Sequence, residues 1–289
     1  MKATKVFQLF GFIILAVGLL SMTACAKKTT EADTNPTASR DAATTIASNL
    51  AYDTGGTVDQ MADLSTFTTT DGLENLKNKY PSNTFTITKT YDAITGIWSI
   101  HIVRERGIDG TVPYALMTRD YTLQFLNADG IFQQNYVTGA DTARTVHFNV
   151  VDGYGRHETH QLTQMLTQLT AHWTVTNAHQ DYITINGDYY RAAVDTLTNP
   201  HHTRVSNHTL QLAVHDVVAP RGVDSEFAGA ISGSVTGHYH ASITFIIGTE
   251  YNERIVDRDI NIVFGSGRAD IVINATTYRS SLETGELED

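Results

Sequence analysis

The stretch ISGSVTGHYHASITFII, residues 231–247, decides the fold class of this chain. Every second residue is apolar, aromatic or glycine: Ile231, Gly233, Val235, Gly237, Tyr239, Ala241, Ile243, Phe245 and Ile247. Successive strand side chains point to opposite faces, so a period of two predicts one strand with an apolar and a polar face. This strand is longer than the usual five or six residues and carries two glycines on its apolar face. Both features are typical of a bent or coiled strand in a strongly curved sheet.

The same period recurs along most of the chain after Pro81. Further segments that alternate apolar with polar residues are 85–91, 97–104, 121–125, 146–150, 210–214, 260–264 and 271–275. The pairs Asp152-Gly153 and Asn186-Gly187 predict turns, the second of them between the strands of a hairpin. One apolar face per strand excludes a parallel sheet that is covered on both sides. The sequence therefore predicts an all-β fold, in which antiparallel hairpins or a meander form one large curved sheet, sandwich or barrel.

Three segments depart from this pattern. Residues 41–50 and 71–80 each favour a short helix, although neither has a convincing apolar stripe. Residues 159–175 fit two interpretations, because Leu162, Leu166 and Leu169 have helical spacing whereas Leu169, Trp173 and Val175 share a strand face. Four threonines in this segment lower its helix propensity, so we prefer a strand.

The N-terminus has the pattern of a secretory signal. Lys2 and Lys5 precede an apolar run over residues 7–20, which gives way to small residues that end at Cys25. The run of about fourteen residues is shorter than the roughly twenty that a membrane-spanning helix needs. Residues 1–24 are therefore predicted to be a signal peptide.

Within this region the sequence Met22-Thr23-Ala24-Cys25 resembles the lipobox of bacterial lipoproteins, with Met22 where that family more often has Leu. The resemblance implies cleavage before Cys25, diacylation of its thiol, and attachment to the cell envelope by lipid. Ala26-Lys27 lacks the aspartate-type retention signal of such lipoproteins, which implies the outer membrane. The resemblance covers residues 1–25 only. The alternative is a secreted or inner-membrane protein with an incidental cysteine.

Cys25 is the only cysteine, so an intramolecular disulfide is excluded and the core must stabilise the domain. Residues 25–43 are rich in Thr, Ala and charge and predict a disordered tether. Residues 44–289 then form a single all-β domain, with a frayed acidic tail over 282–289. Loss of the signal's two lysines leaves 18 basic and 31 acidic residues, a formal charge of −13. An acidic surface repels phosphate backbones, so we expect no nucleic-acid partner.

Two groups of residues could form a binding site: a pair of histidines and a set of aromatic residues. His238 and His240 are two residues apart on one strand face, a spacing that can chelate zinc or copper, but the surrounding Ser and Thr favour solvated histidines. We therefore expect no metal and no cofactor. The sequence holds no nucleophile elbow, phosphate loop or EF-hand, and we expect no catalytic residues. Aromatic residues that favour a ligand pocket are Trp173, Tyr182, Tyr189 and Tyr239, although such residues are also common cross-strand pairs in a core.

Three functions remain open from the sequence. The first is an envelope-anchored, non-catalytic module that has a structural role or binds an envelope protein or glycan. The second is a carrier of a lipid or other hydrophobic ligand inside a barrel or half-barrel. Gly233 and Gly237 favour the carrier because they leave space inside the sheet. The lack of a clear helix to cover a half-barrel favours the non-catalytic module. The third is an envelope hydrolase. The predicted membrane contact is the lipid on Cys25.

Overall fold

The computed structural model describes residues 27–30, 36–79, 84–112, 114–158, 162–198, 203–222, 226–247 and 250–288. Four helices lie in these ranges: α1 (Pro36–Leu50), α2 (Thr57–Phe67), α3 (Gly72–Lys79) and α4 (Phe227–Ala230). The strands are β1 (Lys27–Thr30), β2 (Thr84–Asp92), β3 (Ile97–Arg106), β4 (Tyr114–Leu126), β5 (Phe132–Gln133), β6 (Val137–Thr138), β7 (Asp141–Thr142), β8 (Thr145–Glu158), β9 (Leu162–Thr176), β10 (Tyr182–Thr198), β11 (Thr203–Pro220), β12 (Ser232–Ile247), β13 (Glu250–Gly265), β14 (Arg268–Ile273) and β15 (Thr276–Ser281).

The strands form one large antiparallel meander. Its order is β15-β14-β13-β12-β11-β10-β9-β8-β4-β3-β2, with β5 beside β4 and β1 parallel to β13. Strands β6 and β7 form a separate hairpin. In the described part of the chain, β2 and β15 are the two ends of this path and do not pair with each other. The predicted all-β fold is thus confirmed as one curved sheet that is not closed into a barrel.

Residues 232–247 form strand β12, and its apolar side chains from Val235 to Ile243 face the core. A side chain at Gly237 would come within 2.1 Å of the Gln211 carbonyl oxygen, so neighbouring strand β11 packs directly against this position. Gly233 has φ +129°, which is a conformation that L side chains rarely adopt. The glycines therefore let neighbouring strands approach closely and let the strand coil, as predicted, but they do not leave open space inside.

Helices α1 and α2 lie against the apolar side of the sheet. Every residue of α2 is buried, and so is most of α1 from Ala42 to Leu50. A helix that is buried over most of its circumference needs no narrow apolar stripe, which explains why none stands out over residues 41–50. The predicted helices over 41–50 and 71–80 are confirmed as α1 and α3. Sequence reasoning missed α2, because TVDQMADLSTF mixes polar and apolar residues around the whole helix.

Two predicted turns are wrong. Asp152-Gly153 lies inside β8 and Asn186-Gly187 inside β10, and both coincide with register shifts in the ladders. Gly187 has φ +143°, and a Cβ there would lie 1.9 Å from the His172 carbonyl oxygen. Asp152-Gly153 directly follows Val151, the extra residue of a bulge in β8, and Asn186-Gly187 lies opposite an extra residue in β11, so both pairs lie where long strands bend instead of ending. The strand preferred over 159–175 is confirmed as β9, while residues 159–161 lie outside the described residues.

The two ends of the chain differ from expectation. The segment predicted to be a disordered tether contains β1 and the first half of α1. This part of α1 is ordered because its alanines face the core. The tail predicted to be frayed packs on the domain: Leu282 is fully buried, its carbonyl accepts a hydrogen bond from Tyr52 N, and Leu287 bridges Ser280. The predicted signal peptide and Cys25 lie outside the described residues.

Candidate functional site

Three of the four aromatic residues predicted to line a pocket belong to the core. Trp173, Tyr189 and Tyr239 are each at most 2 % exposed. Trp173 stacks between Phe148 and Tyr189, with ring centroids 5.8 and 6.5 Å away. Tyr182 stands apart at the start of β10 and is 56 % exposed. The structure therefore does not bring the four residues together, and the three buried ones act as packing beneath the helices.

A buried ionic cluster joins α2 to the sheet. Asp59 and Asp63 lie one helical turn apart and are both fully buried. Arg104 of β3 bonds both carboxylates, at 3.0 and 2.8 Å, and Arg119 of β4 bonds Asp59 at 2.8 Å and Asp63 at 3.4 Å. Tyr121 donates its hydroxyl to Asp63 Oδ2 at 2.8 Å, and burial raises the pKa of this hydroxyl well above its usual value. The cluster holds α2 in one register on β3 and β4.

The sequence carries a signal for this cluster in the positions of its two arginines along their strands. On β3, Arg104 follows Ile100 and Ile102 at the same period of two, and on β4 Arg119 precedes Tyr121 in the same way. An arginine in the apolar phase of a strand is directed at the core, where it requires a buried anion. The matching aspartates are four residues apart on a helix, which places both on one side of it.

A second polar network joins α1 to the middle of the sheet. Asn49 Nδ2 donates to His208 Nε2 at 2.8 Å, and Gln164 Nε2 donates to Asn49 Oδ1 at 3.0 Å and to Asp195 Oδ1 at 2.9 Å. Arg191 donates to Gln164 Oε1. All of these side chains are at most 3 % exposed. Both helices are thus fixed by directional bonds as well as by apolar packing.

His157 lies beside this network on β8. Burial is the largest cause that lowers its pKa, and the nearby cations Arg191 and Arg106 add to it, so that the pKa is about 4. Its Nδ1 atom has no hydrogen-bond partner among the residues that the structure describes. His157 is therefore neutral at physiological pH, and charging it opposes folding.

The convex face of the sheet carries an open depression of about 670 Å³ over strands β10–β13. Its polar lining comes from the outward residues Asp188, Tyr190, Gln211, Thr236, His238 and Asp259. The depression lies over Ala213, whose small side chain stands between larger outward neighbours. We refer to it as the convex depression.

The two predicted histidines lie at and beside the convex depression. His238 Nδ1 is 3.0 Å from Asp259 Oδ1 and its Nε2 is 3.0 Å from Asp257 Oδ1, while His240 Nδ1 is 2.9 Å from Asp257 Oδ2. The hydrogen bond to Asp259 raises the pKa of His238, and the bond from His240 lowers the pKa of Asp257. All four side chains are at least 40 % exposed. We call this group the surface histidine cluster.

Within the described ranges, no group of three or more His, Cys, Asp or Glu side chains is arranged to hold a metal ion. In the surface histidine cluster the ring nitrogens that face carboxylates are taken up by hydrogen bonds. No helix among the described residues is long and apolar enough to cross a membrane.

Comparison with known proteins adds no assignment to these observations. No family model matches this chain, and neither a curated protein nor a solved structure matches it.

Proposed function

We propose that this chain is an envelope-anchored lipoprotein with a non-catalytic β domain that binds a partner protein of the envelope. The observation that carries this proposal is the filling of the concave side of the sheet by the chain's own helices. The exposed surface, with the convex depression on it, is then the part of the domain available to a partner.

The contacts of α1 and α2 favour this function over a hydrophobic carrier. A carrier needs a vacant apolar cavity, and here Trp173, Tyr189 and Tyr239 pack beneath the helices. Making room for cargo requires displacement of α2, which breaks the bonds between Asp59, Asp63 and their arginines. Separating a buried charge from its partner costs several kcal/mol, on the order of 3–5. Cargo would have to bind tightly enough to offset that cost.

The carboxylates of the described residues also favour a binding function over hydrolysis. Asp59 and Asp63 have no exposed surface and accept bonds from three arginines, Arg104, Arg106 and Arg119. A general acid or base must reach its substrate directly or through one water. The support for lipid anchoring is separate and rests on the resemblance at residues 22–25.

The proposal is tested first by photo-crosslinking in intact cells. A crosslinking amino acid replaces Gln211, which is exposed in the convex depression, and the matched control replaces Thr277, which is exposed on the same face of β15. We expect one discrete protein adduct from position 211 and a much weaker one from position 277. Equal or absent adducts at both positions would contradict a partner at the convex depression.

Native mass spectrometry tests the carrier alternative. The chain is exported with an ordinary cleavable signal in place of residues 1–26, so that it starts at Lys27 and keeps the whole of α1. We expect the mass of the bare chain. A reproducible excess of a few hundred daltons that organic solvent releases would overturn the proposal and identify the cargo.

A further inference from the structure

The position of β1 fixes where the predicted anchor meets the domain. Lys27 to Thr30 pair in parallel with Asn252 to Ile255 at the start of β13. Cys25 precedes β1 by two residues, and an extended chain spans at most about 3.6 Å per residue. The lipid-bearing residue therefore lies within about 7 Å of the first residue of β1.

The ladder registers show which other parts of the molecule share that edge of the sheet. The row of paired residues that contains Thr29 continues across the sheet through Arg254, Ile243, Ser206, Asp195, Gln164, His157 and Ala115 to Arg106. The described residues of the β3–β4 connection, 107–112, follow Arg106 directly. We call the edge formed by this connection and the adjoining strand ends the anchor rim.

The anchor rim presents apolar side chains to solvent. In the β3–β4 connection Ile108 is 65 % exposed and Val112 is 37 % exposed. Leu116 and Met165, on the convex face close behind it, are 36 % and 45 % exposed. An apolar group of this kind on the same rim as a lipid anchor is suited to the interface of a bilayer.

The charges at this position are already paired. Arg156 Nη2 lies 2.6 Å from Asp109 Oδ1, and Arg156 Nε lies 2.7 Å from Glu158 Oε1. The Arg156 guanidinium also lies over the ring of Tyr114, 5.0 Å from its centroid. An internally paired charge costs less to bring near a low-dielectric surface than a free one.

We propose that the tip of the β3–β4 connection, Ile108 and Val112, enters the surface of the membrane that carries the lipid anchor. The domain then stands with its anchor rim on the bilayer and its opposite rim away from it. This inference rests on the proposed lipid anchoring of Cys25. The contact is apolar, so it does not require anionic lipid.

The test uses the full mature lipoprotein in vesicles of phosphatidylcholine with and without spin-labelled lipid. Acylated Cys25 is a thioether, so a new cysteine is the only thiol available to an environment-sensitive dye. The reporter is Ile108→Cys, and the matched control is Ile94→Cys, an isoleucine 88 % exposed in the β2–β3 turn at the opposite rim. We expect spin-labelled lipid to quench the dye at 108 at least threefold more than the dye at 94.

A second pair of variants excludes an effect of the dye itself. The dye is placed on Thr111→Cys, and Ile108 and Val112 are either kept or both replaced by Asp. Quenching should be present in the first protein and lost in the second. Stronger quenching at 94 than at 108, or equal quenching at both, would overturn the inference. Failure of anchoring is recognised separately: the wild-type chain then reacts with the dye at Cys25 and does not float with vesicles.

Discussion

Two clusters with similar chemistry lie on opposite faces of this sheet. On the concave side, Asp59 and Asp63 bond two arginines out of contact with water; on the convex side, Asp257 and Asp259 bond two histidines in solvent. Short distances are common to both. The two clusters differ in their exposure to water. Water screens the ion pairs on the convex side, whereas a buried charge on the concave side is costly unless it keeps its partner. Equal geometry thus gives the first cluster a structural role and leaves the second free for binding or titration.

The largest effect is expected when the concave cluster loses one member. Asp63→Ala leaves Arg104 and Arg119 short of a buried carboxylate and Tyr121 without its acceptor, so the free energy of unfolding should fall by about 3–5 kcal/mol. Urea denaturation of the purified domain measures this loss. The matched control is Asp270→Ala, which removes an exposed partner of Arg279 at 2.9 Å and should cost less than about 1 kcal/mol. Similar losses for both would contradict the comparison.

Acid should act on the concave side through His157. Its pKa in the folded chain is about 4, against 6.5 without the protein environment. The unfolded chain therefore binds a proton first, and stability falls as pH drops from 6.5 towards 4, by at most about 3 kcal/mol. In the His157→Gln variant, the denaturant midpoints measured between pH 4 and 6.5 should lie close to the midpoint of the same variant at pH 7. If the substitution leaves the acid sensitivity unchanged, another group causes it.

A smaller loss is expected in the second concave network. Asn49→Ala removes the donor that bonds His208 and the acceptor that Gln164 bonds, and the His208 and Gln164 side chains stay buried. Each unmet buried polar group costs about 1–3 kcal/mol, and we expect about 2 kcal/mol in total after local relaxation. Thr44 provides the control, because it lies on the exposed side of α1 and its hydroxyl bonds only the Arg40 carbonyl of the same helix. Thr44→Ala should leave the thermal unfolding temperature nearly unchanged.

The smallest effect belongs to the surface histidine cluster. Because its pKa is raised when folded, His238 contributes stability fully below pH 6.5, and this contribution is lost as pH rises through the folded value. Asp257, whose pKa is lowered, contributes above pH 3.8 and loses this contribution as pH falls through its own folded value. Asp259→Asn should return the pKa of His238 towards 6.5 in an NMR titration, with less than about 1 kcal/mol change in stability.

The fold was accessible from sequence where the pattern is local. The alternation from Ile231 to Ile247 predicted β12, because a period of two with one apolar face has a single structural solution. The glycines at 153 and 187 show the limit of such reasoning. Glycine occurs in turns and beside bulges alike, and only the pairing partner, which is remote in sequence, decides between them.

The concave side was less accessible for a physical reason. Helix α2 is enclosed by the sheet, so its sequence lacks the apolar stripe by which helices are recognised. Its two aspartates read as solvent-exposed until they are matched with Arg104 and Arg119, which lie about forty to sixty residues away. The histidines at 238 and 240, by contrast, were placed on the solvated face by neighbours only one or two residues away.

The order of the chain has a consequence for its maturation. The helices that fill the concave side are made before the strands that enclose them. The carbonyl of Leu282, directly after β15, accepts a hydrogen bond from the backbone N–H of Tyr52, which follows α1. Until β15 is in place, the oldest part of the chain is exposed to water. Enclosure of α1 therefore waits for β14 and β15, and a chain truncated before these strands should be cleared by proteases despite an intact N-terminal half.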